Sequence, residues 1–293
     1  MPPDGVARPR LPPPAPATAG LLAPAYLWMA LAVFLPLAAM FYFSLLDRAP
    51  FGNRPAAFTL ENYLAFVRRP YLLRVAWTSV SLGLWTTALC ALLGWPAALA
   101  LARAVGGRTR GALFLLVVLP FWTNGLVRIF SWTMVLSQGG LLDRVVRLVL
   151  PGAHPGEILY SYPAIVIGLV HAYLPYMVLT SYVSIAGIDP AIMEAARSLG
   201  ARLPVLFAKV LLPLSLPGLA SGAVLIFVPV LGSFMEPRIL GGRVGVTMGT
   251  VIEDQFTQAF NWPLGAALSF TMLALVLAMF GLLSTATRLR GTT

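Results

Sequence analysis

Apolar residues come in long runs divided by short polar stretches. Six runs, at about 21–45, 75–102, 111–136, 162–185, 208–235 and 264–286, are each long enough to cross a bilayer as a helix. Five of them carry proline inside or near an end: Pro24 and Pro36, Pro96, Pro120, Pro163 and Pro175, then Pro213, Pro217 and Pro229. Proline frees a carbonyl and bends a helix, which a membrane helix tolerates when neighbours or water satisfy it. Such bends serve a pathway or an ordinary packing irregularity equally well. In the fifth run Gly222 and Gly232 are places for close helix approach.

The polar stretches have patterns of their own. FTLENYLAFVRRPYLL opens with Thr59 in N-cap position and predicts a short surface helix. Residues 137–161 mix Asp143, Arg144, Arg147 and Glu157 with apolar positions, as an amphipathic segment does. Residues 236–263 hold the pair Gly241–Gly242 and the acidic pair Glu253–Asp254. In GIDPAIMEAARSLG, Asp189 is placed to cap a helix and Pro190 suits its first turn. Helical pattern then runs to Leu199, Gly200 permits a left-handed turn, and a second short helix is predicted over Leu203–Phe207. Ala195 and Ala196 leave the backbone open to close approach, and Glu194 and Arg197 stand one turn apart. By spacing alone this is equally a docking helix or a plain interfacial helix. The proline-rich residues 1–20 read as a disordered tail and residues 287–293 as a C-terminal tail. The first apolar run is too long for a signal-peptide core and reads as an uncleaved span.

Composition supports this reading. Of 293 residues, 59% are hydrophobic and 10% charged, against roughly 25% charged in soluble domains. The fold class is all-α, a polytopic membrane protein with six transmembrane helices. A formal net charge of +10 would point to nucleic acid in a soluble chain, but here the cations fall between apolar runs, where headgroups account for them. No nucleic acid is expected as a partner; the bilayer is. With only Cys90, and with His154 and His171 far apart, no disulfide and no metal site is expected. The two sides of a six-span chain would carry ten and nine Lys/Arg, so charge counting leaves orientation open.

The chemistry is that of a passive membrane subunit. No G-x-x-x-x-G-K-[ST] loop is present; GGRVGVT at 241–247 lacks the lysine and the spacing. The chain should therefore bind no nucleotide or other cofactor and catalyse no hydrolysis itself. An ion-coupled secondary transporter is a rival, but the six span cores contain no Asp or Glu. An intramembrane enzyme would rest on His171 alone.

Glu194, Ala195, Ala196, Gly200 and then Val210, Leu212 and Pro213 resemble the EAA loop of permease subunits from binding-protein-dependent ABC importers. Val210 stands where that pattern has isoleucine. The resemblance implies a type I ABC importer permease fold, with the permease domain over 75–286 and the coupling loop at 189–213. Residues 21–74 would supply a first helix and a periplasmic surface segment. In that family the loop is cytoplasmic and docks into a separate ATPase. Asp189, Glu194, Ala195, Ala196, Arg197 and Gly200 would then make the coupling contact, with both termini cytoplasmic. LPFWTNGLVRIFSW (119–132), YLPYMVLTSYVSI (173–185) and QFTQAFNWPLGAALS (255–269) are similar to spermidine/putrescine permeases of the first-permease type. The implied partners are an ATPase dimer using ATP and Mg, a second related permease, an external solute-binding protein and a small polycationic substrate. An opine, iron or another organic cation is the alternative solute.

A polycation is attracted by carboxylates and aromatic faces. Glu236, Phe234, Tyr176, Glu253 and Asp254 are accordingly candidates for the pathway or its mouth. Exposed loop charge and aromatic packing are their plainer roles. Asn124 and Arg128, one helical turn apart, are structural or gating candidates. Arg128 alternatively marks the outer end of a shorter third span, with 129–137 interfacial. Trp122, Trp132 and Trp262 suit headgroup depth.

Overall fold

The fold is taken from a computed structural model, which describes residues 16–50, 56–150 and 158–290, with side chains from 22 to 281 within those ranges. Apart from one bridge between Leu46 and Phe58, the regular elements among the described residues are helical. The tail expected at 1–20 lies outside the described residues as far as residue 15, and so do Glu157 and His154.

Helix α1 (Pro16–Ser44) starts inside the stretch read as tail. The short α2 (Glu61–Arg68) follows, its first amide donating to Thr59 Oγ1 at 3.1 Å, while Leu60 occupies the cap position itself. Helix α3 (Pro70–Leu99) runs into a π-helical turn, Ala100–Ala104. Together they make a span longer than the apolar run predicted.

The third run is the clearest departure. In place of one helix over 111–136 there are α4 (Gly107–Val118) with a 3₁₀ turn to Trp122, and then α5 (Gly125–Leu136), with a bend of 99° between the two parts. Pro120 supplies no amide, Thr123 is extended, and Thr123 Oγ1 donates to the Pro120 carbonyl at 2.8 Å. Asn124 then caps α5, its Oδ1 accepting from the Leu126 amide at 2.8 Å. The apolar pattern continues through the break, so hydropathy alone does not reveal it. Trp122, the last residue before the break, is 82% exposed, and Arg128 lies beyond the break in α5. Asn124 and Arg128 stand one turn apart at the start of α5, the Arg128 amide donating to the Asn124 carbonyl at 3.1 Å. Helix α6 (Leu141–Val149) carries the amphipathic segment, with Asp143 and Arg147 paired along it at 3.0 Å.

Helix α7 (Tyr162–Ala186) crosses back and is followed by α8 (Pro190–Ser198) and α9 (Leu203–Leu206). A second π-helical turn, Phe207–Leu211, joins α9 to α10 (Leu212–Gly232), so the second short helix and the fifth span form one stretch. That stretch stops at Gly232. Glu236 sits in the first turn of a separate helix, α11 (Met235–Gly241). Helix α12 (Met248–Thr257) and the last span, α13 (Trp262–Arg290), complete the chain; α13 continues through the residues read as the start of the C-terminal tail.

Among the described residues five helices are long and apolar enough to cross a membrane, and the bent pair makes six if it is counted as one broken span. The centre is the trio α3, α7 and α10. Its buried faces meet through Leu82, Cys90, Leu169, Met177 and Ile226. Gly222 permits this approach, since a Cβ there would lie 2.6 Å from Thr180 Oγ1 and 2.7 Å from Met177 Sδ. Gly232 plays no such part: a Cβ there would meet no described atom within 4 Å. Helix α1 packs on α13, with Phe41 against Phe270 at 5.5 Å, and otherwise shows apolar side chains such as Trp28 and Phe34 outward, as a lipid-facing helix does.

Candidate functional site

Two ends of the bundle carry the candidate residues. At one end, the Asp189 carboxylate accepts from the Ala191 amide at 2.9 Å and Pro190 begins the helix, so α8 starts where the cap predicts. It stops at Gly200, which takes φ +80°, with the Ala201 amide donating to the Ala196 carbonyl at 3.1 Å. Among the described residues, none of the nine in α8 is buried. Glu194, Ala195, Arg197 and Gly200 are exposed, and Leu199 is 88% exposed. An amphipathic helix that buries nothing of its own leaves its apolar positions for another surface.

This helix is tied down at its base. Arg103 Nη2, from the π turn that ends the second span, donates to the carbonyls of Ile185 at 3.0 Å and Ile188 at 2.6 Å. These flank the turn between α7 and α8, where a helix C-terminus leaves carbonyls without intrahelical partners. Sequence reading counted Arg103 only as a charge; its contact is with backbone some eighty residues away, which no local pattern announces.

At the opposite end α5, α11 and α12 cap the bundle. The Glu236 carboxylate accepts from Ser233 Oγ at 2.5 Å. Tyr176, 38% exposed, packs on Phe121 with ring centres 4.7 Å apart and lies 6.0 Å from the ring of Tyr173. Tyr173 and Tyr176 thus present two adjacent rings on α7. Arg128, Trp132 and His171 line a mostly apolar cleft of about 370 Å³ at the break in the third span, with Trp132 edge-on to His171 at 5.4 Å. Phe234 and Glu253 instead line a second cleft, of about 510 Å³, between α10, α12 and α13.

Glu253 and Asp254 are not free carboxylates. Arg238 of α11 forms ion pairs with both, to Asp254 at 2.7 Å. The hydrogen bond it donates to Asp254 and the nearby charges of both acids raise the guanidinium's pKa above its ordinary value, so it stays cationic at any biological pH. The trio carries one net negative charge in place of two. Arg238 entered the sequence reading only in the charge count, because its partners lie on another helix.

The profile of the family described as "Binding-protein-dependent transport system inner membrane component" matches residues 91–289, from within α3 to α13 and including the exposed α8 loop. The chain belongs to this family. Among relatives of this inner membrane component, the spermidine/putrescine transport system permease protein PotB of Escherichia coli (strain K12) is 36% identical over 245 residues, covering 84% of this chain and 88% of that one. PotB of Haemophilus influenzae is 34% identical, over 85% of this chain and 86% of its own. The molybdenum transport system permease protein ModB of Mycobacterium bovis is 32% identical, over 78% and 83%. A chain of a bacterial ABC transporter that imports the acidic polysaccharide alginate has the same fold, with TM-score 0.67 at 18% identity over 89% of this chain and 92% of that one. A chain of the MetNI methionine ABC transporter aligns with TM-score 0.54 at 18% identity, over 74% and 94%. The fold is thus that of type I ABC importer permeases.

Proposed function

We propose that this inner membrane component is one of two related permease subunits of an ABC importer for polyamines, and that α8 is the helix through which a separate ATPase drives it. The exposed α8 carries the mechanical half of this reading: it is capped at Asp189, closed at Gly200 and buries none of its described residues. The EAA pattern on it supports a cytoplasmic setting, with both termini on the same side and α5, α11 and α12 facing outward. ATP and Mg would be held by the partner. Closure of the ATPase dimer would push on α8 and open the pathway outward to a solute-binding protein, and reopening would release solute to the cytoplasm.

The polyamine assignment is supported by the PotB relatives and by the residues grouped at the outer end. Tyr173 and Tyr176 offer aromatic faces and Glu236 a carboxylate, the chemistry an alkylammonium favours. The Arg238 trio adds one net negative charge nearby on α11 and α12. The ModB relative, at 32% identity, keeps a molybdenum-containing solute as the competing reading.

Uptake by vesicles holding this chain, its partner permease and the ATPase tests both halves. Spermidine or putrescine uptake that needs ATP and the binding protein, and survives collapse of the proton gradient, is the expected outcome. Uptake driven by an ion gradient without the ATPase would overturn the mechanism. A binding protein that prefers molybdate or a neutral sugar would overturn the solute assignment and leave the mechanism standing.

A further inference from the structure

Helix α8 borders an open cleft rather than a packed core. The cleft, of about 320 Å³, is lined by Leu99, Arg103, Met193, Arg197, Phe207 and Leu211. Both π-helical turns border this cleft: Ala100–Ala104 at the end of the second span and Phe207–Leu211 at the start of the fifth. Close-packed interiors transmit strain but resist displacement, and open space gives a helix room to shift. π turns recur at functional positions because they hold a local misfit in the helical ladder.

The tethers are unequal. Chain continuity through α9 joins α8 to the fifth span. On the other side the described hydrogen bonds between the second span and the base of α8 are those of Arg103 to Ile185 and Ile188. One guanidinium nitrogen holds both carbonyls across the turn, and the cation also suits the negative end of α7.

Resting on the reading of α8 as the drive helix, we propose that Arg103 is a positioning residue for transport, which fixes the base of α8 to the second span so that a push on α8 moves the second and fifth spans together. Without it, α8 would still be pulled by the ATPase but would move against the second span, using the cleft as slack. The partner's hydrolysis would continue while solute movement lagged.

The test uses the whole transporter, reconstituted with both permeases, the ATPase and the binding protein, and reads solute moved per ATP hydrolysed. Arg103→Gln removes the charge and keeps a short polar group; Arg103→Lys keeps the charge without the planar fork. We expect Arg103→Gln to assemble, to hydrolyse ATP at a rate near wild type and to move about 10-fold less solute per ATP, within the usual range for coupling between sites. Arg103→Lys should fall between it and wild type. An unchanged ratio in Arg103→Gln would overturn the proposal. If that variant cannot be assembled, an unchanged ratio in Arg103→Lys, or loss of assembly in both, would overturn it too, the last by showing a structural role. Failure of the functional reading is seen separately, in a wild-type complex that hydrolyses ATP yet moves no polyamine. The Arg103 comparison then reads stimulation of hydrolysis by the loaded binding protein, and equal stimulation in wild type and variant would overturn it.

Discussion

The two ends of the bundle are built on opposite terms. The cap of α11 and α12, at the end away from α8, holds itself together. Thr247 and Thr250 form a reciprocal capping box, the Met248 amide donates to Ser79 Oγ on α3 at 2.8 Å, and Arg238 clips α11 to two acids of α12. Helix α8 buries none of its described residues and is held by chain continuity, one cap and Arg103. A segment that satisfies its own polar groups is stable within the chain. A segment with exposed apolar positions and few tethers, under the function proposed above, completes its packing on the ATPase. On that reading intrinsic stability lies at one end and dependence on assembly at the other.

Substitutions at the two ends sharpen the contrast. The largest effect is expected at Gly245, where a Cβ would fall 1.8 Å from the Pro237 carbonyl oxygen. Gly245→Val should cost roughly 3 kcal/mol or more by overpacking, read as a large drop in the melting temperature of the purified chain. Gly200→Val meets no described atom within 4 Å but forces a β-branched residue to φ +80°. That strain costs about 1–2 kcal/mol and should be confined to the loop. The melting temperature should hold while copurification of the ATPase fails. A matching fall in melting temperature for both variants would break the contrast.

Capping gives the next step. Thr247→Val removes a buried cap and should cost about 1–2 kcal/mol of global stability. Asp189→Ala should cost about 1 kcal/mol, visible as faster amide exchange over 190–198 with no global change. Last is Arg238→Gln. Its guanidinium is 43% exposed, so the pairs to Glu253 and Asp254 should contribute below about 1 kcal/mol after solvent screening. High salt should shrink the difference from wild type.

Legibility in the sequence followed the range of the interactions. Helix α8 was readable because Asp189, Pro190 and Gly200 act within a turn of the bonds they direct. Five spans were readable because lipid demands long apolar runs. The third was misjudged because Pro120, Thr123 and Asn124 break the helix through backbone donors and a side-chain cap, while hydrophobicity continues past them. The roles of Arg103 and Arg238 were hidden for another reason: each acts on partners that only the folded chain brings near. The candidate pathway residues divided likewise, with Tyr176 beside Tyr173 on α7, Glu236 bonded to Ser233, and Phe234 and Glu253 on a separate cleft.

The central claim is that α8 docks on a separate ATPase. Ala195→Cys places an exposed thiol on α8, while the chain's native thiol, Cys90, is buried in the bundle. Crosslinking from position 195 in membranes holding the assembled transporter should trap the ATPase subunit, with a yield that changes when nucleotide is added. Labelling of that thiol by an impermeant reagent from the external face, or capture of the solute-binding protein in place of the ATPase, would contradict the account.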